Sequence, residues 1–287
     1  MKFIRPAACA AIISALFVAV PAMAQEQPPP GPAGDPGVVQ PDPAAPAVPV
    51  APVEPAPAPA PKPKPKPKPK PKPLPPLPPA PTAKTAWIAT LHSSVTVRVA
   101  PKPRARKRVV LSPTAPFAGG LTELLVTRST YTDGVGWLEV LLPVRPNGSR
   151  GWIPADAVTV APTPYRVEIS VSKRRLALFR AGRRIMNVPV AVGMANTPTP
   201  LGQFAIAETV STNDPGGFLG PLVLPITGYS KVLNEFAGGD GRVAVHGTSV
   251  PALIGTRASH GCVRMRNVDI RRVARVATPG TPVLIRA

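Results

Sequence analysis

Two histidines and one cysteine lie within 23 residues of the chain, in the segment Val243–Met265, VAVHGTSVPALIGTRASHGCVRM. His246 stands sixteen residues before Cys262, and His260 stands two residues before it. A thiol becomes a strong nucleophile near neutral pH when an adjacent base takes its proton or a cation stabilises the thiolate. The segment therefore predicts Cys262 as a nucleophile and His246 as its base.

Glycines follow the histidine and precede the cysteine. The main-chain carbonyl of Gly247 can accept a hydrogen bond from one ring nitrogen of His246 and so fix the tautomer. Gly261 allows a tight turn, so that main-chain N–H groups can face an oxyanion. We therefore expect main-chain groups to complete the site.

Two other interpretations of these residues stay open from their chemistry alone. Cysteine is often buried, and a single histidine is often a satisfied core residue. His246, His260 and Cys262 are also three possible zinc ligands, but a structural zinc site usually takes four N or S ligands and no obvious fourth is present. We expect neither a metal nor a cofactor.

The segments around these residues have the alternation and turn signals of short strands. Those predicted in residues 163–287 are Tyr165–Val171, Leu176–Phe179, Ile185–Val192, Gln203–Val210, Arg242–His246 and Val283–Arg286. Ala181-Gly182 is a hairpin signal, and Asn267 is placed to cap a helix that runs to Val276. Residues 163–287 are therefore predicted to form a mostly-β domain with one or two short helices.

Residues 86–160 show a second set of short strands. The predicted strands are Ser94–Val99, Leu124–Thr127, Trp137–Leu142 and Arg150–Pro154, with turns at Asp133-Gly134 and Asn147-Gly148. This spacing predicts a small β-barrel. Trp137 and Trp152 either line a ligand groove or pack in the core.

The first 24 residues have the pattern of a cleaved signal peptide. Lys2 and Arg5 precede the apolar run Ala7–Val20, and Ala22-Met23-Ala24 forms an A-x-A cleavage site. An uncleaved anchor is the alternative. Cleavage would remove Cys9, which leaves Cys262 as the only cysteine of an exported protein, without an internal partner for a disulfide.

Residues 25–85 are predicted to be a disordered linker. They contain 25 of the 45 prolines, with strict Pro-Lys alternation from Pro61 to Pro73. Such a sequence favours extended polyproline II and can span nearly ~190 Å at ~3.1 Å per residue. We interpret it as a spacer, and binding to anionic wall polymers remains the alternative.

The net charge of +20 is spread over every region of the chain, which favours a polyanionic environment. Nucleic acid, a membrane surface and an anionic cell wall all fit that charge. Predicted export and an aromatic content of 5% argue against a nucleic-acid partner.

Several motifs together resemble the L,D-transpeptidases of the YkuD-domain family. They are HGT at His246, SHGCVRM at Ser259, TPTPLGQF at Thr197–Phe204 and GGDGR at Gly238–Arg242. The resemblance extends over about 120 residues. In residues 86–160, the phrases VRVAP, GWLEVLLP and NGSRGWIPADAV resemble bacterial SH3-like domains.

The resemblance implies a mostly-β catalytic domain with a Cys–His–carbonyl triad. When the roles known in the family are assigned to the matching positions, Cys262 is the nucleophile, His246 is the base and Gly247 supplies the carbonyl. The residues predicted to contact substrate or surround the nucleophile are Ser259, His260, Gly261, Arg264 and Tyr229, the last together with a lid loop at Asp214–Gly217. Arg264 either holds a substrate carboxylate or is a solvated arginine.

The function that the resemblance implies is 3→3 cross-linking of peptidoglycan stem peptides through a cysteine thioester, in the cell wall space. It also implies acylation of Cys262 by carbapenems. A hydrolytic L,D-carboxypeptidase and a non-catalytic wall-binding protein are the alternatives. The intact His246 and Cys262 pair argues against the last of these.

Overall fold

Alternating apolar and polar residues organise the chain into strands over residues 74–235 and 238–287, the part that the computed structural model describes. One α-helix of eight residues is the longest helix in that part. The prediction of a mostly-β protein is confirmed. The predicted signal peptide, residues 1–24, and the predicted linker as far as residue 73 lie outside the described residues.

Residues 86–163 form a seven-stranded antiparallel sheet in the order β3-β2-β6-β5-β4-β1-β7. Its strands are β1 (Ala86–Leu91), β2 (Val95–Arg98), β3 (Lys107–Leu111), β4 (Glu123–Thr132), β5 (Val135–Leu141), β6 (Arg150–Pro154) and β7 (Val158–Thr163). Within the described chain no ladder joins the edge strands β3 and β7, because β3 pairs with β2 and β7 pairs along β1. The predicted barrel is therefore corrected to an open sheet.

Apolar side chains on one face of this sheet form its own core. Val97, Leu138 and Ile153 are fully buried there. Trp137 is 1% exposed, so it packs in the interior instead of lining a groove. Trp152 is partly exposed, and the Arg128 guanidinium lies 5.5 Å from its ring.

Residues 74–85 have no regular structure but pack against their neighbours. The Ser129 hydroxyl donates to the Pro78 carbonyl at 2.6 Å, and the Arg166 guanidinium donates to the Ala83 carbonyl at 2.6 Å. The packed part of the chain therefore begins before the boundary predicted between residues 85 and 86.

The remaining strands form the sheets that position the chemistry. They are β8 (Tyr165–Ser170), β9 (Arg175–Arg180), β10 (Arg183–Pro189), β11 (Val192–Gly193), β12 (Gly202–Ala205), β13 (Val210–Ser211), β14 (Leu222–Tyr229), β15 (Arg242–His246), β16 (Arg257–Ser259), β17 (Val263–Arg264) and β18 (Pro282–Arg286), with helix α1 (Asn267–Ala274) before β18. One sheet has the order β10-β9-β8-β18-β12 and the other has the order β13-β14-β15-β17, while β11 and β16 pair separately. The predicted hairpin at Ala181-Gly182 joins β9 to β10.

A single hydrophobic core lies between these two larger sheets. Ile169 and Ile285 enter it from the first sheet, Val245 and Val263 from the second, and Ile270 from α1. Truncating a buried aliphatic side chain of this kind costs about 2–5 kcal/mol. This core therefore fixes β15 and β17, which carry the chemical residues, against a rigid support. No helix among the described residues is long and apolar enough to span a bilayer.

Candidate active site

Parallel pairing of β15 with β17 brings the two ends of the sequence motif together. His246, the last residue of β15, lies opposite Arg264, and Cys262 directly precedes β17. A cavity of about 560 Å³ opens at this point. The side chains predicted to do chemistry that line it are His246, Ser259, His260, Cys262 and Arg264.

His246 is a buried neutral imidazole. Its side chain is 2% exposed, and Nδ1 lies 2.7 Å from the Gly247 carbonyl oxygen. Because a carbonyl only accepts, Nδ1 carries the proton of the neutral ring and Nε2 retains its lone pair. Burial, together with the positive charge of Arg264, lowers the pKa of His246 to about 4. The ring is thus a base at neutral pH.

The same burial makes the stability of the fold depend on pH. The pKa of His246 is about 4 in the folded chain and near its ordinary 6.5 when unfolded. The unfolded chain therefore binds the proton first, and stabilisation is complete above about pH 6.5 and is lost as pH falls towards 4. We expect protonation of His246 to lower the free energy of unfolding by about 3 kcal/mol over this pH range.

Chemical denaturation of the wild type and of His246→Gln between pH 4 and 7 measures this component. The free energy of unfolding should fall more steeply with acid in the wild type than in the variant. Equal slopes for the two proteins would contradict a neutral buried imidazole.

Cys262 is a free, partly exposed cysteine in the cavity wall. Burial raises the pKa of its thiol, while a main-chain hydrogen bond from Ala244 and the charge of Arg264 act in the opposite direction. With its thiol pKa raised and the His246 pKa lowered, the thiol and the imidazole on this cavity are both uncharged at neutral pH. This state favours proton removal during attack over a thiolate formed in advance.

The turn before Cys262 is held by Ser259. Ser259 is 1% exposed. Its hydroxyl donates to the Cys262 carbonyl at 2.5 Å and accepts from the Gly261 N–H at 3.2 Å. Gly261 has φ 121°, a conformation that side chains disfavour. Ser259 therefore positions the nucleophile, and the Gly261 N–H is already engaged, so oxyanion donors must come from other main-chain groups.

Arg264 is a buried cation, which removes the solvated alternative. It is 6% exposed, and its guanidinium lies 4.6 Å from the Phe218 ring. Its Nε has no hydrogen-bond partner among the described residues. A guanidinium at the cavity wall is suited to attract an anionic group.

The loop predicted as a lid, Asp214–Gly217, leads into two residues that contact the site. The Phe218 ring centre lies 6.0 Å from that of His246, and Leu219 also lines the cavity. Thr212 closes the base of the loop by donating to the Gly220 carbonyl at 2.5 Å. The loop is thus placed to cover the base; its movement as a lid stays a prediction.

Tyr229 lies elsewhere than predicted. It is 5% exposed, and its hydroxyl donates to the Pro143 carbonyl at 2.7 Å. Its main-chain N–H donates to Asn147 Oδ1 at 2.8 Å, and its main-chain carbonyl accepts from Asn147 Nδ2 at 2.7 Å. Tyr229 is not among the described residues that line the cavity, so we correct its role from substrate contact to attachment of the seven-stranded sheet.

Asn267 was not recognised as a site residue from the sequence. It does not cap α1, since Arg266 is the N-cap and makes no side-chain cap. Its Oδ1 instead accepts from the Thr248 N–H at 2.8 Å, and its Nδ2 donates to the Pro215 carbonyl at 3.4 Å. Asn267 thus joins the loop after His246 to the predicted lid, through contacts that no sequence pattern indicates.

The described residues include no group of three His, Cys, Asp or Glu side chains that could hold a metal ion. His260, the third ligand of the zinc alternative, has an exposed side chain at the cavity wall.

Comparisons with known proteins place the chain among relatives of one family. Residues 164–285 match the family model of the YkuD L,D-transpeptidase catalytic domain. A putative L,D-transpeptidase YkuD of Bacillus licheniformis is 30% identical over 154 residues, which are 51% of this chain and 85% of that protein. The probable L,D-transpeptidase ErfK/SrfK of Salmonella typhimurium is 28% identical, and the match covers 52% of each chain.

Solved structures also resemble the chain. Bd1075 of Bdellovibrio bacteriovorus is 27% identical with a TM-score of 0.34, covering 43% of this chain and 48% of that one. L,D-transpeptidase 3 of Mycobacterium tuberculosis is 14% identical with a TM-score of 0.38, and the match covers 61% of this chain and 96% of that one. On the sequence matches, the chain belongs to the YkuD family of L,D-transpeptidases, with its catalytic domain at residues 164–285.

Proposed function

We propose that this protein cross-links peptidoglycan stem peptides through a thioester on Cys262. The sulfur attacks the carbonyl between the L-centre of residue three and the terminal D-residue of a tetrapeptide stem. His246 takes the thiol proton and delivers it to the departing nitrogen, so the C–N bond breaks and the free D-amino acid leaves.

An amine of a neighbouring stem then attacks the thioester. A new C–N bond forms, the C–S bond breaks, and the proton of the amine returns to the thiol through His246. The product is a 3→3 cross-link, and the cysteine is regenerated. Arg264, which lines the cavity, holds a carboxylate of the substrate through its guanidinium.

The observation that carries this proposal is the convergence of His246 and Cys262 on one cavity in a chain of this family. The Nδ1 contact with Gly247 orients the imidazole so that Nε2 is the base. The cavity of about 560 Å³ falls within the range of peptide and small-molecule sites.

We further propose that the protein acts outside the cytoplasm, after removal of residues 1–24, with residues 25–85 as the spacer. The described end of that spacer packs on the open sheet, as its hydrogen bond from Ser129 shows. An SH3-like role of that sheet in binding wall polymers also remains a proposal, supported by the basic charge of the chain.

Incubating the protein with soluble tetrapeptide muropeptides, with and without an acceptor amine, tests the reaction. Mass spectrometry should show a dimer that has lost one D-residue when acceptor is present. Tripeptide alone, in both conditions, would favour the hydrolytic L,D-carboxypeptidase, in which water resolves the thioester. Unchanged substrate would favour the wall-binding alternative.

Gly247 should be intolerant of any side chain, because its neighbours leave no room. A Cβ there would lie 2.4 Å from Asn267 Oδ1 and 3.0 Å from the Gly220 Cα. Gly247→Ala must therefore move the carbonyl that orients His246, and we expect kcat/KM to fall about 10- to 100-fold.

Gly120→Ala is the matched control, because a Cβ at Gly120 meets nothing within 4 Å. Its rate should stay within twofold of the wild type. A Gly247→Ala enzyme as fast as this control would show that the carbonyl does not set the orientation of the base.

A further inference from the structure

A loop of the seven-stranded sheet reaches the cavity that holds Cys262. Phe117, in the loop between β3 and β4, lines this cavity although the hydrophobic core beneath its own sheet is a separate one. We propose that Phe117 is a specificity-determining residue that contacts the donor stem peptide at the end of the cavity remote from Cys262. This inference rests on the proposed function.

The place of Phe117 follows from the direction of β15. Its ring lies 5.3 Å from the guanidinium of Arg242, the first residue of that strand, whereas His246 is the last. Four residue steps at ~3.3 Å put the two ends of β15 about 13 Å apart. Phe117 therefore lies beside the side chain of the first residue of β15, whereas His246 is the last residue of the same strand.

A stem peptide of matching length fits between these ends. After attack, the three residues on the acyl side of the scissile bond remain attached to Cys262. Extended, they reach about 10 Å from the thioester, and a side chain covers the remaining distance to Phe117. The donor stem stays in place through both steps, whereas the acceptor arrives only for the second, so we assign Phe117 to the donor.

The chemistry at this end suits an apolar part of the stem. Phe117, Val210 and Leu233 all line the cavity, and the Arg242 guanidinium lies over the Phe117 ring. Arg242 is itself held by Tyr229, whose ring centre is 4.9 Å from the guanidinium and whose hydroxyl accepts from it. The aromatic ring therefore offers a fixed apolar surface, which can contact the aliphatic side chains of the first stem residues.

Glu208 fixes this loop in position. Its carboxylate is 2% exposed and accepts from the main-chain N–H groups of Phe117 at 3.0 Å and Ala118 at 2.7 Å. Charge-assisted hydrogen bonds to a buried carboxylate are strong and directional. The loop is thus attached to the catalytic domain at the one place where its aromatic side chain enters the cavity wall.

A second attachment holds other residues of the cavity wall. Arg145, in the loop between β5 and β6, donates to the carbonyls of Ser230 at 2.8 Å, Leu233 at 3.2 Å and Asp240 at 3.0 Å. Ser230, Leu233 and Asp240 all line the cavity. The seven-stranded sheet therefore contributes to both the surface and the support of this end of the cavity.

Exposure alone does not distinguish Phe117, since single exposed apolar residues are common. Leu121, at the other end of the same loop, is 51% exposed against 52% for Phe117, but it does not line the cavity. The pair provides a test variant and a matched control within one loop.

The experiment measures release of the terminal D-residue from a tetrapeptide muropeptide, with acceptor amine at one saturating concentration, as donor concentration varies. Phe117→Ala should raise KM about tenfold with a smaller change in kcat, because the contact is made alike in ground and transition states. Glu208→Gln, which weakens the hold on the loop, should raise KM about threefold. Leu121→Ala should match the wild type.

Acylation by a carbapenem is the second measurement on the same proteins. A carbapenem with a short C2 side chain occupies less of the cavity than a stem of three residues, so its acylation rate with Phe117→Ala should stay within twofold of the wild type. An unchanged KM for the stem in Phe117→Ala would overturn the inference, and so would equal losses on stem and carbapenem. A wild type that never releases the D-residue would instead overturn the proposed function, and the inference with it.

Discussion

Replacing Cys262 by alanine is expected to lower the rate of D-residue release by about 10⁴-fold or more. The side chain is the only thiol among the described residues and lines the same cavity as His246. Without sulfur no thioester forms, and neither exchange nor cross-linking can follow. Release of the D-residue from a tetrapeptide stem, measured at saturating substrate, gives the rate.

The substitution should leave the fold intact, because the residue is small and partly exposed. Thermal unfolding of Cys262→Ala and Cys262→Ser should therefore follow that of the wild type within a few degrees. Turnover retained in a folded Cys262→Ala protein would remove this residue from its proposed role.

His246→Gln is expected to lower kcat/KM by about 10³-fold at pH 7. Glutamine can fill the buried site and bond the Gly247 carbonyl, but it cannot accept the thiol proton. The double variant with Cys262→Ala should be no slower than Cys262→Ala alone, since residues that act as one unit are strongly non-additive. His92→Gln is the matched control, because His92 is exposed, its Nε2 lies 2.9 Å from the Thr159 hydroxyl, and it does not line the cavity.

The pH profile gives the same test a second readout. Because the pKa of His246 is lowered to about 4, the wild-type kcat/KM should hold from neutral pH down to about 5 and halve near 4. A base with an ordinary pKa would halve the rate near 6.5. A profile that bends near 6.5, or a His246→Gln protein as active as His92→Gln, would contradict the proposed base.

Local pattern was sufficient to predict some strands, among them the one that ends in His246, whereas Leu222–Tyr229 and Val263–Arg264, beside it in the same sheet, were not predicted. Arg150–Pro154 and Arg242–His246 were predicted with the boundaries that the structure has, because alternation and flanking turns fix both ends. The contact of His246 with the Gly247 carbonyl joins adjacent residues and was also predictable. Where residues next to each other in the chain decide a feature, the sequence contains the information.

Features that depend on distant contacts could not be predicted in this way. The burial of Arg264 follows from the Phe218 loop, more than forty residues earlier. The Glu208 contact with Phe117 joins residues 91 positions apart. Closure of a barrel likewise depends on whether its edge strands meet, and the alternation within each strand is the same in an open sheet.

Residue type also misled the interpretation of two polar side chains. Tyr229 resembled a substrate contact by its position near the site, but its hydroxyl bonds the Pro143 carbonyl. Asn267 is of a residue type that often caps helices, yet its Oδ1 accepts a hydrogen bond from the loop after His246. In both cases a partner from another element determines the direction of the side chain.

The most direct test of the account is the mass of the enzyme during turnover. Wild-type protein mixed with a tetrapeptide stem without acceptor, then quenched in acid, should gain the mass of the stem minus its terminal D-residue. Peptide mapping should place that mass on the fragment that contains Cys262, and Cys262→Ala should show no gain. An adduct on any other residue, or release of the D-residue without any covalent enzyme species, would contradict a thioester on Cys262.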